Sequence, residues 1–232
     1  MTLRALLFDK DGTLVDFDAT WGPAAYDVMT AMAGDDRAAL ERLMLVSHYD
    51  ETSRRFKPTS PLVAGSSGDY GPVWAEALGR PFSTDVTDEM DRRFVEAGLV
   101  HLSPIGDPAG VLSALKGRGL ALGIVTNDSE AGARSQARAL GIDHHLDYVV
   151  GWDSGFGRKP APGQIHAYLE RTGLPAHAVA MIGDSLHDLH AARAAGVLAV
   201  GVETGPIIPE GFAEAADVVL PSIMALEDWL DG

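Results

Sequence analysis

Leu3-Arg4-Ala5-Leu6-Leu7-Phe8-Asp9-Lys10-Asp11-Gly12-Thr13-Leu14 is the stretch on which the reading of this 232-residue chain turns. A predominantly apolar run from Leu3 to Phe8 ends abruptly in two aspartates. A short run apolar on both faces predicts a buried strand of a parallel sheet. Open α/β sheets collect their ligands outside the carboxyl ends of strands, which is where Asp9 and Asp11 would stand. Gly12 lets the backbone turn sharply straight after them. Asp9 and Asp11 point the same way if the chain stays extended. Two anions so placed are costly unless a cation or a proton lies between them. A hard cation such as Mg²⁺ takes oxygen ligands and would neutralise the pair. One carboxylate can then attack an electrophile, as in aspartyl-phosphate chemistry, while the other carries a proton. The same residue types also suit an ordinary turn, so the remainder of the chain has to decide.

The totals narrow the classes. Apolar residues make up 46% of the chain, which places it among globular proteins. The length suits one large domain or a domain carrying an inserted subdomain. A net charge of −15, with no Lys/Arg-rich run, argues against a nucleic-acid partner. Any phosphate site in so acidic a chain must be locally cationic. The absence of cysteine excludes disulfides, thiolate nucleophiles and Cys-ligated zinc. No apolar run approaches the ~20 residues of a membrane helix, and no secretory leader pattern precedes the first strand, so a soluble cytoplasmic protein is expected.

Beyond Leu14 the pattern changes. From Trp21 to about His101 the segments read as helices without a convincing buried strand. Pro23 suits a helix start, and Ala24, Ala25, Val28, Met29 and Met32 follow at helical spacing. Asp36 is a good N-cap for a second helix through Leu40, Leu43, Met44 and Val46. Lys57 to Gly71 is rich in Pro, Ser and Gly and reads as a loop. Helical pattern returns at Val73 to Leu78 and from Thr84 to about Leu99. After Pro104 strands and helices alternate, which implies right-handed crossovers and a parallel sheet. The expected fold is therefore α/β, a Rossmann-like parallel sheet flanked by helices, with an inserted all-helical cap. The core is expected over 1–15 and 102–232 and the cap over 16–101.

The informative feature is where polar residues end the apolar runs. Thr126 closes the strand Leu120 to Val125 as Asp9 closes the first, and Asp184 closes Val179 to Gly183. On one edge of a parallel sheet such ends converge. Thr126 could donate its hydroxyl to a phosphate oxygen, helped by backbone N–H groups at the next helix start, although Thr126-Asn127-Asp128 would also serve as a plain cap. Lys159 lies in Gly157-Arg158-Lys159-Pro160-Ala161-Pro162, whose prolines stiffen the loop. Its ammonium could neutralise both Asp9 and an incoming phosphate. Alone, it reads first as an ordinary surface lysine in a Pro-rich loop. Asp188 lies one helical turn beyond Asp184, so the two share a side, and an aspartate there is also a routine cap.

Taken in order, Asp9-Lys10-Asp11-Gly12-Thr13, Thr126-Asn127, Lys159-Pro160 and Gly183-Asp184-Ser185-Leu186-His187-Asp188 resemble the four motifs of the haloacid dehalogenase superfamily, most of whose members are phosphatases. The placement of the insertion resembles the helical cap of the phosphoglycolate phosphatase-like branch. The resemblance implies Asp9 as nucleophile and Asp11 as acid and base. It implies Mg²⁺ held by Asp9, the Asp11 backbone carbonyl and Asp184, a phosphoryl group held by Thr126, the Asn127 N–H and Lys159, and Asp188 orienting metal waters or Lys159 from behind. The partner implied is a small-molecule phosphate ester, with the cap as a lid. Lys10 departs from the commoner apolar residue, and strand alternation would turn it away from the site. Asp153, near the Lys159 loop, has no assignable role. His187 and His190 lack a third metal ligand, and Arg54, Arg55 and Lys57 are either a cationic substrate contact or a solvated helix end. A phosphomutase would use the same core and cap, and a non-catalytic metal- and phosphate-binding regulator is the reading from another class.

Overall fold

The run quoted above forms β1 (Ala5–Phe8), completely buried and at the centre of a parallel sheet. The computed structural model describes residues 2–63 and 67–232. After β1 the chain leaves for helices α1 (Phe17–Ala33) and α2 (Arg37–Val46), a ribbon of β2 (Tyr49–Asp50) and β3 (Arg55–Phe56), and helices α3 (Ser67–Ala77) and α4 (Thr84–Val100). It returns through α5 (Pro108–Gly117) to β4 (Ala121–Val125), α6 (Glu130–Ala139), β5 (Tyr148–Val150) and α7 (Gly163–Thr172). It finishes with β6 (Val179–Gly183), α8 (Leu186–Ala195), β7 (Leu198–Val202), α9 (Phe212–Ala215), β8 (Val218–Leu220) and α10 (Leu226–Asp231). Residues up to Asp16 form one compact unit with Pro104–Gly232, and Phe17–Ser103 forms a second.

In the first unit the six strands lie in the order β5-β4-β1-β6-β7-β8, all parallel. The chain moves outward from β1 on one side through β4 to β5, then crosses back to β6 on the other. That reversal puts a crevice at the carboxyl end of β1, between the ends of β4 and β6. Phe8 pairs in register with both Ile124 and Ile182, so Asp9, Thr126 and Asp184 emerge from adjacent strands at nearly one level. Ala5, Leu7, Val125, Met181 and Val179 pack with Ile165, Tyr168 and Leu189 from the helices in one core cluster.

The second unit has its own core, in which Trp74 meets Ala25, Met29, Leu43, Met44, Tyr49 and Met90. Trp74 Nε1 donates to Ser47 Oγ at 2.9 Å, satisfying the buried indole. The insertion is helical, and β2 and β3 add a two-residue antiparallel ribbon that runs too short to show as a strand pattern. Asp36 caps α2 as its sequence position predicts, accepting from Ala39 N at 2.9 Å.

Two helix starts differ from the sequence expectation. Pro23 lies inside α1 and not at its start, because the helix begins at Phe17, whose ring shares a buried stripe with Thr20, Ala24 and Val28. Helix α3 begins at Ser67, inside the segment read as a loop from Lys57 to Gly71; residues 64–66 of that segment lie outside the described residues. Its buried stripe, Ser67, Gly71, Trp74 and Ala75, is built largely of small residues that give little apolar signal.

Leu7 is fully buried on the central strand. Leu7→Ala should destabilise the protein by about 3 kcal/mol, the usual cost of a core Leu truncation, read as a lower urea midpoint at unchanged slope.

Candidate active site

Asp9 leaves β1 with its N–H donating to Ile182 O at 2.8 Å, which keeps it tied to β6. The chain then turns instead of staying extended, since Leu14 N and Val15 N both donate to Lys10 O, at 2.8 and 3.0 Å. Gly12 sits at φ +80° within this turn, and a side chain there would strike the Asp184 carboxylate. The turn separates the two aspartates that an extended chain would have aligned. The Asp9 carboxylate meets Lys159, while the Asp11 carboxylate is gripped by Lys10, whose Nζ donates to Oδ1 and Oδ2 at 2.8 and 2.7 Å.

Lys159 is 3% exposed, so the surface reading of this lysine does not hold. Its ammonium donates to Asp9 Oδ1 at 2.6 Å, Asp188 Oδ1 at 2.6 Å and Val125 O at 2.8 Å. Asn127 fixes the backbone of the same residue: its Nδ2 donates to Lys159 O at 3.0 Å, and its Oδ1 accepts from Lys159 N at 2.9 Å. The stiff Pro-flanked loop is thereby pinned to the end of β4. Thr126 is buried beside it and accepts from Asp128 N at 3.0 Å, which leaves its own hydroxyl hydrogen to donate. The cap of α6 is Ser129, which accepts from Gly132 N at 3.1 Å, so Thr126 is not needed as a cap. Gln164 secures the same strand end by donating to Thr126 O at 3.0 Å.

Asp188 combines both roles open to it from its spacing. Its Oδ2 accepts from Ser185 N at 3.0 Å and Ser185 Oγ at 2.6 Å, closing the first turn of α8, while Oδ1 holds Lys159. Asp184 is buried beside it and accepts from Thr13 Oγ1 at 3.2 Å. Carboxylate oxygens of Asp9, Asp184 and Asp188 lie within 4.8 Å of one another. Among the described residues this is the group of acids with metal-ligand spacing, and neither the histidines at 187 and 190 nor the Asp11 side chain belongs to it.

Burial dominates the electrostatics. It pushes the Asp9 carboxyl up to about 7, with Lys159 opposing and Asp188 and Asp11 adding to the rise. Burial also raises Asp184 well above the usual carboxylate range, reinforced by Asp188 and Asp9. For Lys159, burial works against the charged form, yet Asp188 and Asp9 raise its pKa above that of a free lysine. Three buried carboxylates thus surround one ammonium, an excess of negative charge that an oxygen-seeking divalent cation would neutralise. The donor set fits such an ion and, with no sulfur and no imidazole in it, fits Mg²⁺ better than zinc.

Several supports were not singled out from sequence. Thr13 and Thr204 brace the turn, Thr204 Oγ1 donating to Gly12 O at 2.6 Å. A Cβ on Gly205 would stand 2.3 Å from Asp184 Oδ2. Their signal was positional: Thr204-Gly205 follows β7 at the same edge of the sheet. Asp153, without a role in the sequence reading, accepts from Glu130 N at 2.8 Å and secures the start of α6. In the insertion, Arg55 pairs with Asp18 at 3.4 Å and the Arg54 guanidinium lies over the Tyr26 ring, so both arginines have partners within their own unit.

The family model for haloacid dehalogenase-like hydrolases matches residues 3–196. The chain is 32% identical, over 98% of its length and 90% of the relative's, to a phosphoglycolate phosphatase of Rhodospirillum rubrum. It is 28% identical, over 96% of its length and 88% of the relative's, to a phosphoglycolate phosphatase of Escherichia coli K12. Its fold is similar to that of a hydrolase from Pseudomonas syringae, with a TM-score of 0.67, 21% identity and 98% of each chain covered. It is similar also to a subfamily IA hydrolase of the same superfamily from Geobacter sulfurreducens, with a TM-score of 0.65, 21% identity, and 98% and 96% of the two chains covered. The chain belongs to the haloacid dehalogenase-like hydrolases.

Because Gly205 lies against Asp184, Gly205→Ala should displace that carboxylate and weaken Mg²⁺ binding by ~10-fold or more, measured by isothermal titration calorimetry on the folded variant.

Proposed function

We propose that this chain is a Mg²⁺-dependent phosphatase that hydrolyses small phosphomonoesters of the phosphoglycolate kind through a phospho-aspartyl intermediate on Asp9. The observation that carries this reading is the Lys159 ammonium, buried and 2.6 Å from Asp9 Oδ1. A fixed cation beside a carboxylate at a strand end is what an anionic nucleophile needs in order to approach an anionic phosphate. The near-full-length likeness to two proteins named phosphoglycolate phosphatase supports the substrate class.

In the first step Asp9 attacks phosphorus, a carboxylate–phosphorus bond forms, and the ester P–O bond breaks. Asp11, as the carboxylic acid, gives its proton to the departing alkoxide. In the second step Asp11, now a carboxylate, takes a proton from the water that attacks the same phosphorus. The Asp9–phosphorus bond breaks and inorganic phosphate leaves. Lys159, the Thr126 hydroxyl and the Asn127 N–H hold the phosphoryl oxygens in line, and Asp188 keeps the Lys159 ammonium in place. The Asp9 and Asp184 carboxylates and the Asp11 backbone carbonyl would hold Mg²⁺, which supplies positive charge against the developing negative charge on the phosphoryl group.

The deciding experiment measures inorganic phosphate released from 2-phosphoglycolate and from an aryl phosphate, with the organic product identified. Free alcohol with phosphate is expected; an isomerised phosphoester would instead indicate a mutase. Asp9→Asn should lower kcat by more than ~10⁴-fold while the protein remains folded by circular dichroism. EDTA should abolish turnover and added Mg²⁺ restore it. Full activity in chelator would remove the metal from the scheme.

A further inference from the structure

Lys10 lies next to the nucleophile, yet it points elsewhere and is 1% exposed. Its ammonium bridges Asp11, Gln136 and Asp128. It donates to both oxygens of Asp11, at 2.8 and 2.7 Å, and to Gln136 Oε1 at 2.6 Å, and it pairs with Asp128 Oδ2 at 3.1 Å. Gln136 is buried on α6, and Asp128 precedes the same helix. Asp128 is itself anchored: its Oδ1 accepts from Ser129 N at 2.6 Å, and its carbonyl accepts from Trp152 N at 3.0 Å. Asp11 is thus tied through one lysine to a rigid helix start more than a hundred residues away in sequence.

Burying an ammonium is costly, and an apolar side chain of similar volume would usually serve stability as well or better. A charge retained here has to be explained by something other than packing. What distinguishes it is its partner, the carboxylate that must face the leaving oxygen in one step and the attacking water in the next. A free aspartate on a turn samples several rotamers, whereas a carboxylate held at both oxygens keeps one. The Asp11 side chain is 20% exposed, so the group held by Lys10 still faces the side from which a substrate enters.

We propose that Lys10 is a positioning residue for Asp11, fixing the direction of its carboxylate by tying it to the start of α6 through Asp128 and Gln136. This rests on the acid–base role given to Asp11 above. Lys10→Met should lower kcat for an alkyl phosphate by ~10-fold to 100-fold, with KM changed less than ~2-fold, since Asp11 acts on the reacting oxygen and not on the bound phosphate. The loss should be smaller for an aryl phosphate, whose leaving group needs less protonation. In an Asp11→Asn background, measured on the aryl phosphate, Lys10→Met should change kcat by less than ~2-fold, because the group it positions is already gone. Equal losses with and without Asp11, or a rise in KM alone, would overturn the proposal. Lys10→Met leaves Asp128 without this ion pair, so Lys10→Met/Asp128→Asn compared with Asp128→Asn alone gives the same test if the single variant does not fold. A crystal structure of whichever variant folds should show the Asp11 carboxylate in a different rotamer; an unmoved carboxylate would also overturn the proposal. Absence of phosphate release from the wild-type protein would instead refute the phosphatase reading, and the positioning role with it, so the two failures are distinct.

Discussion

Lys159 reaching Asp9 and Asp188 from a distant loop is the contact on which the site depends. Three carboxylates buried within 4.8 Å of one another repel, and each has lost water that would have screened it. Burial alone pushes Asp9 and Asp184 toward the neutral form. One ammonium with its donors aimed at Asp9, Asp188 and Val125 O makes the cluster tolerable and keeps negative charge on the strand end. The remaining excess of negative charge is what makes the cluster fit a divalent cation.

That arrangement follows from the sheet. The chain order reverses beside β1, so the ends of β4 and β6 flank the end of β1 although each lies more than a hundred positions from it in the chain. Rigid strands then hold Thr126, Asp9 and Asp184 in place, and short turns after β4, β1 and β7 supply the rest: Asn127 clamping Lys159, Thr13 reaching Asp184, and Thr204 bracing Gly12. The site is built from strand ends stiffened by their neighbours, which suits chemistry that tolerates little misplacement.

Two lysines divide the acidic residues between them. Lys159 takes the acids that face the sheet edge, Asp9 and Asp188, and Lys10 takes Asp11 and Asp128. The turn after Asp9 creates the division, because it carries Asp11 out of the line an extended strand would have given it. In a protein with a net charge of −15, two buried ammonium groups keep these carboxylates from forming one unbroken patch of repulsion.

Much of this was legible in the residues alone. Apolar runs of strand length ending in Asp9, Thr126 and Asp184, with helical patterns between them, imply a parallel sheet and a common edge, because burial on both faces leaves polar residues only at strand ends. The insertion was visible as a change of period after Leu14. The start of α3 was hidden, since its buried stripe is mostly small residues whose placement depends on packing around Trp74. Tertiary structure alone decided that Lys159 is buried, that Asp188 both caps α8 and holds that lysine, and that Lys10 grips Asp11 and Asp128. Lys159 with Asp9 and Lys10 with Asp128 are pairings between residues far apart in the chain, and local pattern reports only which face a residue occupies, while the partner it meets there is set by how strands and helices are brought together.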